Sequence, residues 1–400
     1  MRTAMLVSLL SVGASLFFET RGVLAAEVRV RDVDGLRRAL GSAGPGTRIL
    51  LEPGEYAGGL SARGVAGAPG KPIVIGAADP TRPPVIRGGG SGIQLTDPAH
   101  VEIEHLVVTG ASGNGINIDD GGDFVTPAHH VVIRDVKVSD VGGRGNQDGI
   151  KLSGVKDFAV ERCTIDGWGK GGGSAIDMVG CHAGKIAGNV FRNMDGDQSS
   201  GVQAKGGSTD IRIAGNRFEE AGGRAVNIGG STGLEYFRPP LASISGERFE
   251  AAGIIVEGNT FIGGVAPVAF VGSDRCQVRF NTIYKPRRWA LRILQENRAE
   301  GFVPSRRGEF TDNLVVYEAR QWGGAANVGG GTEPASFRFA RNFWYAEDAP
   351  ERSRPELPSA ETDGKYGIDP LLAGPPGKIT VGPRSPAIGV GAHALPGRKD

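Results

Sequence analysis

The chain has 400 residues, of which 66 are glycine, more than twice the usual share of roughly 7%. No Gly-X-Y triplet repeat accompanies this glycine, which excludes a collagen, and the balance of 39% hydrophobic and 22% charged residues excludes a disordered chain. The 45 Lys and Arg residues nearly balance the 44 Asp and Glu residues, so no overall charge attracts nucleic acid or an anionic membrane surface.

The N-terminal segment, residues 1–26, is predicted to be a secretory signal peptide. Arg2 supplies a positive start, residues 4–18 are apolar, and small residues stand at the cleavage-type positions of "VLA", residues 23–25. The apolar stretch is shorter than the roughly 20 residues that a membrane span needs. We therefore expect a secreted protein, extracellular or periplasmic, with no membrane span and with one domain over residues 27–400.

The next segment, residues 33–58, predicts the start of the folded domain. Its first part has the pattern of a short amphipathic helix, which would cover an otherwise open apolar core, and its second part reads as a lead-in strand.

From residue 185 onward, a short strand that contains one asparagine recurs along the chain. Examples are "KIAGNVF", "RIAGNRF" and "IVEGNTF". Short strands that repeat every 20 to 50 residues between glycine-rich turns are typical of a parallel β-solenoid, in which asparagines in register can form an amide ladder. The predicted ladder consists of Asn189, Asn216, Asn259, Asn281, Asn313 and Asn342.

A second type of short strand follows each copy of the first, as in "GIKLSG" (149–154), "AIDMVG" (175–180) and "GVQAKG" (201–206). Alternation along a strand sends the first and third apolar residues into the core and the residue between them outward. The predicted outward row is Asn117, Lys151, Asp177, Gln203, Asn227, Ala269 and Arg292. A second outward row, two residues further along each strand, contains Asp119 and Lys205. A line of polar groups spaced one coil apart suits a chain-like ligand.

Two long connections, residues 231–253 and 295–308, leave the repeat directly after outward-facing strands. They are positioned to wall or cover the polar row. On the first of them, Tyr236 and Arg238 are candidate sugar contacts.

The lead-in "GPGTRILLEPGEY", the strand repeats and the closing "DPLLAGPPGKITVGPRSPAIGVGA" (369–392) resemble the pectate-lyase-like superfamily. This resemblance covers residues 27–392. It implies an all-β chain folded as a single-stranded right-handed parallel β-helix of about ten coils with an N-terminal helical cap. The superfamily includes lyases, hydrolases, epimerases and non-catalytic proteins, so its fold does not by itself define a reaction.

Within the superfamily, the chain is most similar to the chondroitinase-B and alginate-lyase type. Those enzymes place a lysine at the end of an outward-facing strand, where Lys205 stands here. The resemblance implies β-elimination on a uronic acid, in which the carboxylate is neutralised, a base takes the C5 proton and the glycosidic oxygen leaves. It implies Lys205 as the base and an acidic polysaccharide as the partner of a monomeric protein. Arg224 and Arg292 are the candidates for neutralising the carboxylate.

The substrate-binding candidates complete this expected site. Gln203 and Asn227 are expected to orient the sugar. Further expected contacts are Asn117, Lys151, Asp177, Tyr236 and Arg238.

The chain departs from that pattern at the calcium ligands. Family members carry acidic residues just before the lysine, whereas Gln198, Ser199 and Ser200 stand there in this chain. An acidic turn is the alternative place for Ca²⁺, with Asp119, Asp120 and Asp123 as candidate ligands. The six histidines show no metal-ligand spacing beyond an adjacent pair, His129 and His130.

Other readings of the site remain open. "NQDGIKL" (146–152) resembles a strand of the pectin hydrolases, which would make Asp148 and Asp177 an acid/base couple. The missing calcium carboxylates favour a non-catalytic glycan-binding protein, and a uronate epimerase on the same fold is a further alternative.

Overall fold

The computed structural model describes residues 26–374 and 379–397. Except for Ala26, the predicted signal peptide lies outside the described residues. One α-helix, Val33–Ser42, begins after Asp32, whose carboxylate accepts the backbone N–H of Gly35 at 2.6 Å. Its apolar side packs on the first coil, with Leu36 and Leu40 buried, so the predicted helical cap is confirmed.

The rest of the chain winds through three stacked parallel sheets, A, B and C, in that repeating order. Sheet A contains Glu27–Val30, Arg48–Leu51, Ile73–Ala77, Ala99–Glu104, Ala128–Arg134, Val155–Glu161, His182–Ala187, Ser208–Ala214, Ala251–Ala252, Ile255–Glu257, Ser273–Asp274, Gln277–Arg279, Glu309–Thr311, Arg338–Ala340 and Glu361–Thr362. Sheet B contains Glu55–Ala57, Val85–Arg87, Val107–Thr109, Lys137–Ser139, Thr164–Asp166, Val190–Met194, Arg217–Ala221, Thr260–Ile262, Thr282–Tyr284, Leu314–Tyr317, Phe343–Ala346 and Lys365–Tyr366. Sheet C contains Leu60–Arg63, Ile93–Thr96, Ile116–Asp119, Ile150–Ser153, Ser174–Val179, Ser200–Lys205, Arg224–Gly229, Val268–Val271, Leu291–Leu294 and Ala326–Val328. The prediction of a right-handed parallel β-helix of about ten coils is confirmed.

Short elements lie outside the three sheets. The 3₁₀ turns are Leu234–Tyr236, Leu241–Ser243, Pro334–Ser336, Pro350–Arg352 and Ala392–Ala394, and Leu372–Ala373 pairs antiparallel with Thr380–Val381. None of the helices in the described part of the chain has the length and hydrophobicity that a membrane span requires.

The core runs along the axis of the solenoid. The apolar residues predicted to point inward from sheet C are buried, for example Ile150, Leu152, Ile176 and Met178. Aromatic rings stack from coil to coil in the same core, with Phe218 lying 4.8 Å from Phe191 between ring centroids. Since each coil buries its apolar face only against its neighbours, the stack fixes the positions of the outward side chains.

The predicted asparagine ladder lies at the turn between sheets A and B. Each Nδ2 from Asn189 to Asn313 donates to the Oδ1 of the next asparagine at 3.0 Å. The ladder ends at Asn342, and all six side chains are buried. These amides therefore have a structural role, as predicted.

The outward row of sheet C is also in the predicted register. Lys151 pairs with Asn117 on one side and Asp177 on the other, and Gln203 pairs with Asp177 and Asn227. The row continues through Ala269 to Arg292.

Candidate functional site

A groove of about 630 Å³ lies on the outer face of sheet C. Its floor consists of side chains from four adjacent strands, and its walls come from loops between sheets B and C or C and A. The floor residues are Asn117, Asp119, Lys151, Ser153, Val179 and Lys205. The wall residues are Asp120, Gly122, Phe124, Asn146, Ser231, Thr232, Gly233, Tyr236 and Arg238.

A buried ion pair joins two of the loops that form the walls. Arg238 donates from Nε and Nη2 to the two carboxylate oxygens of Asp120, the second bond being 2.9 Å long, and its guanidinium lies 4.1 Å from the ring centroid of Phe124. The pair lies over Gly154, which has φ +64° and where a Cβ would come within 2.0 Å of the Asp120 carboxylate. Arg238, predicted as a sugar contact, therefore lines the groove and also fixes its walls.

The predicted wall segment 231–253 is held a second time by Glu250, which is fully buried. The Glu250 carboxylate accepts hydrogen bonds from the backbone of Gly206 at 2.9 Å and from the hydroxyl of Thr232 at 2.7 Å. Asn297, on the other long connection, donates to Glu250 at 3.0 Å. The second long connection thus supports the first wall from behind.

Four charged groups form a line at the groove floor, where two lysines line the groove and two covered carboxylates lie next to them. Lys151 bonds to Oδ2 of Asp177, and its Nζ also lies 3.4 Å from Oδ2 of Asp148. Asp148 is held in place by the backbone N–H of Ser174, which donates to it at 2.7 Å. Both carboxylates are covered, since Asp148 is 4% and Asp177 2% exposed, whereas the Lys151 ammonium reaches the groove.

Lys205 completes the line on the next coil. Its Nζ lies 3.3 Å from Oδ1 of Asp177 and 3.2 Å from Oε1 of Gln203. Within the described ranges, this Asp177 oxygen accepts no well-directed hydrogen bond, so its contact with Lys205 is an ion pair without fixed geometry. Lys205 is therefore less constrained than Lys151, and it also lines the groove.

The pKa values of this line follow from burial and from neighbouring charge. Burial and the negative charge of Asp177 raise the pKa of Asp148 to about 7, against the opposing effect of Lys151. Burial alone would lower the pKa of Lys151, but the two carboxylates outweigh it and raise that pKa above its ordinary value. Burial would likewise raise the pKa of Asp177, yet the two lysines hold it below its usual range. Asp177 is thus a carboxylate and Lys151 an ammonium at neutral pH.

The sugar-orienting candidates extend this line to the next strand. Gln203 donates to the carbonyl of Gly229 at 3.3 Å, and Asn227 is its register partner. Arg224 reaches the same place from the start of its strand, because its Nη1 lies 3.4 Å from Oδ1 of Asn227. Its Nη2 pairs with Glu296 at 2.6 Å.

The second arginine candidate lies farther along sheet C. Arg292 is three strands from Gln203, or about 14 Å at the usual strand spacing. It donates to Asn327 at 3.0 Å and lies 4.9 Å from the ring centroid of Trp289. Burial and the positive charge of Arg224 lower the pKa of Arg292. The two arginines that sequence reasoning grouped therefore lie close enough for their charges to interact, and neither belongs to the groove lining formed by the described residues.

The candidate calcium ligands are engaged in local hydrogen bonds. Asp119 accepts from Asn117 at 3.1 Å and from the backbone of Gly121 at 2.9 Å. Asp120 pairs with Arg238, and backbone N–H groups that bond to Asp123 lower the pKa of its carboxyl. Across residues 26–374 and 379–397, no three carboxylates converge on one point. We therefore derive no catalytic step through Ca²⁺.

Sequence reasoning did not single out Phe124 or Asn146 as groove residues. Phe124 lies on a connection of eight residues, 120–127, between strands of sheets C and A, whereas Gly154 alone makes the same connection one coil later. The length of that insertion is the signal that could have identified a further wall.

Comparisons with known proteins agree with this architecture. A family model described as the right handed beta helix region matches residues 91–283. An alginate lyase from Paenibacillus sp. str. FPU-7 is 18% identical, with a TM-score of 0.52 over 77% of this chain and 99% of that one. A PL6 family polysaccharide lyase from Pseudopedobacter saltans is 14% identical, with a TM-score of 0.55 over 92% of this chain and 99% of that one. No curated protein matches the chain significantly in sequence.

The architecture and the family-model match together define a right-handed parallel β-helix, as predicted. At identities this low, the likeness to the two lyases concerns the fold alone.

Proposed function

We propose that this protein is a polysaccharide lyase that binds an acidic, uronate-containing polysaccharide along sheet C and cleaves it by β-elimination. The observation that carries the proposal is the convergence of two lysines, Lys151 and Lys205, on one buried carboxylate, Asp177, at the floor of a walled groove. Basic side chains in such a groove suit a polyanionic chain. The shared fold with an alginate lyase and a PL6 family lyase supports the same assignment.

The two lysines have different proposed roles. Lys151 remains an ammonium throughout the neutral range because two carboxylates raise its pKa, so it stabilises the negative charge that develops on the uronate. Lys205 has the looser contacts and is the proposed base, which must be in its neutral amine form to accept a proton.

The proposed step balances without water. Lys205 takes the C5 proton, the electrons of that C–H bond form a C4–C5 double bond, and the bond from C4 to the glycosidic oxygen breaks. The proton is then returned to the leaving oxygen, so the products are one unsaturated uronate end and one new hydroxyl end.

Neighbouring side chains are proposed to hold the polymer in register. Arg224 is the candidate for neutralising the uronate carboxylate, since its guanidinium lies beside Asn227 on the strand next to Lys205. Arg292 lies three strands from Gln203 and is proposed to bind a carboxylate farther along the polymer. The ring of Trp289 lies against the Arg292 guanidinium and helps to hold it in place.

Hydrolysis is the second candidate, and the raised pKa of Asp148 favours it because a carboxyl that keeps its proton near neutral pH can act as a general acid. Against it, Asp148 and Asp177 are both covered and both contact Lys151 rather than the groove. Elimination therefore accounts for more of the site.

The proposal is tested by incubating the protein with alginate, pectate and chondroitin sulfate. Ultraviolet absorbance of unsaturated uronate reports elimination, new reducing ends report any cleavage, and calorimetry reports binding. We expect absorbance to rise with at least one polymer. Reducing ends without absorbance would identify a hydrolase, and binding without cleavage would identify a non-catalytic glycan-binding protein.

We also infer that the protein is exported and acts as a monomer. The predicted signal peptide supports export, and N-terminal sequencing of protein recovered from outside the cytoplasm tests it by locating the first residue near Ala26 or Glu27. Light scattering measures the mass of the particle in solution and so tests whether the protein is a monomer.

A further inference from the structure

Three histidines converge on the outside of sheet A, remote from the line of lysines and carboxylates. His100 lies on strand Ala99–Glu104, and His129 and His130 lie on the next strand, Ala128–Arg134. The ring centroid of His100 is 5.2 Å from that of His129 and 4.3 Å from that of His130. One nitrogen from each ring lies within 4.8 Å of the others, and no other trio of His, Cys, Asp or Glu in the described part of the chain meets this condition.

The backbone explains how two consecutive histidines can share one site. Successive residues of a strand normally point to opposite faces. His130 has a left-handed φ of +54°, which turns its ring to within 5.0 Å of the ring of His129. His100, which the strand register places beside His130, has φ +50°.

This left-handed position belongs to the fold, because the aligned residues on the next three strands share it. They are Asp157, Ala183 and Asp210, with φ of 53°, 54° and 56°. Only one pair of adjacent coils in this series carries histidine there. The three imidazoles are therefore held by a rigid, repeated backbone rather than by a mobile loop.

The three imidazoles have the donor chemistry of a transition-metal site. Nδ1 of His129 lies 2.9 Å from Nδ1 of His130. A tetrahedral ion with metal–nitrogen bonds of about 2.0–2.1 Å needs nitrogens about 3.4 Å apart. The nitrogens of the trio are close to this spacing, since all lie within 4.8 Å of one another and one pair is 2.9 Å apart. Neutral imidazole suits Zn²⁺, Cu²⁺ and Ni²⁺, whereas Ca²⁺ prefers oxygen.

We propose that His100, His129 and His130 form a binding site for Zn²⁺ or a chemically similar divalent transition-metal ion, with water in the fourth position. His130 is exposed, so the ion can enter from solvent. The strand that carries His129 and His130 follows directly after loop 120–127, which contributes Phe124 to the groove wall. A bound ion joins the end of that loop to the preceding coil and stabilises both.

The test uses the untagged full chain, stripped of metal with a chelator. Titration with Zn²⁺ in a calorimeter is expected to show one ion per chain, and Co²⁺ is expected to give the absorption spectrum of a tetrahedral nitrogen site. Zn²⁺ is also expected to raise the melting temperature. His100→Asn and His130→Asn remove a ligand while keeping a residue that accepts a left-handed backbone, and each is expected to weaken binding at least tenfold.

His105→Asn is the matched control, because His105 also has a left-handed φ, +54°, and lies outside the trio. Its affinity for Zn²⁺ is expected to equal that of the natural chain. No binding of Zn²⁺, Co²⁺ or Ni²⁺ would overturn the proposal, as would binding that both ligand variants retain, which would mark an adventitious ion elsewhere. Because these readouts do not involve polysaccharide, their outcome is independent of the proposed lyase activity.

Discussion

Two columns of polar side chains run along the same solenoid, and they differ in every respect except spacing. The asparagine ladder repeats one residue type, is buried, and satisfies each amide with the next amide at 3.0 Å. The row on sheet C changes residue type at every coil, carries charges, and borders a groove.

The difference separates structural from functional polarity. An amide that is repeated at each coil can donate to one neighbouring amide and accept from the other along the whole stack. The ladder therefore contributes to stability. A row that alternates Lys151, Asp177 and Gln203 cannot be explained by repetition, and it concentrates charge where two loops form walls. Substitutions in the two columns, in the groove walls and at Asp148 are expected to separate these two kinds of polarity.

The largest effect is expected for Lys205→Met. Loss of the proposed base should lower the rate of elimination by at least about 100-fold, while the fold survives because Asp177 keeps its pair with Lys151. Lys185→Met is the matched control, since Lys185 lies on sheet A and pairs with Glu161 at 2.8 Å. Steady-state kinetics on the polymer that is cleaved makes the comparison, and equal rates for both variants would remove Lys205 from the mechanism.

The next largest effect is expected for Asp120→Asn, which should loosen the groove walls. The substitution leaves the buried Arg238 guanidinium without its counter-ion, and breaking a buried pair in this way costs about 3–5 kcal/mol. Limited proteolysis is expected to cut within residues 231–250 faster than in the natural chain. Asp34→Asn removes an exposed pair with Arg37 and serves as the control, with no expected change. Identical cleavage rates would show that the pair does not hold the wall.

A substitution in the asparagine ladder is expected to lower stability without changing activity. Asn259→Ala removes bonds to Asn281 and to the Ile213 carbonyl. It also leaves the buried backbone N–H of Asn216 and one N–H of its side-chain amide without an acceptor. The free energy of unfolding is expected to fall by about 2–3 kcal/mol. The rate of elimination by the folded protein should stay unchanged. A variant that keeps its stability but loses activity would reverse the roles assigned to the two columns.

A smaller effect should come from Asp148, whose pKa is raised to about 7 in the folded state. Between pH of about 4 and about 7, the folded protein holds a proton that the unfolded chain has released, so stability falls as pH rises through this window. Asp148→Asn removes that titration. The fall in the free energy of unfolding between pH of about 4 and about 7 should therefore be smaller in the variant by at least about 1 kcal/mol. Chemical denaturation of both proteins across this range provides the measurement, and parallel curves would contradict the shift.

The smallest effect is expected for Arg292→Ala. Because Arg292 is proposed to bind a sugar distant from the cleaved bond, KM for long polymers should rise about fivefold, or about 1 kcal/mol, with kcat unchanged. Oligosaccharides too short to reach Arg292 should show no change. A fall in kcat would instead place Arg292 at the reacting sugar.

The repeating parts of this molecule could be predicted, and the parts that leave the repeat could not. Periodicity gave the sheet C register, and with it the contact between Lys151 and Asp177 one coil apart. Periodicity carries no information on which part of the solenoid an inserted loop contacts. The pairing of Arg238 with Asp120, 118 residues away, was therefore not foreseen. The histidine trio lies inside the repeat, since the register aligns His100 with His130 one coil later, but the convergence of His129 on this pair depends on the left-handed φ of His130, which periodicity does not reveal.

Product mass tests the central claim most directly. Oligosaccharides released from the cleaved polymer should carry an unsaturated end and weigh one water less than hydrolysis products of the same length, and Lys205→Met should release almost none. Fully hydrated products from the natural chain, or no cleavage of any uronate polymer, would contradict the assignment of this groove to β-elimination.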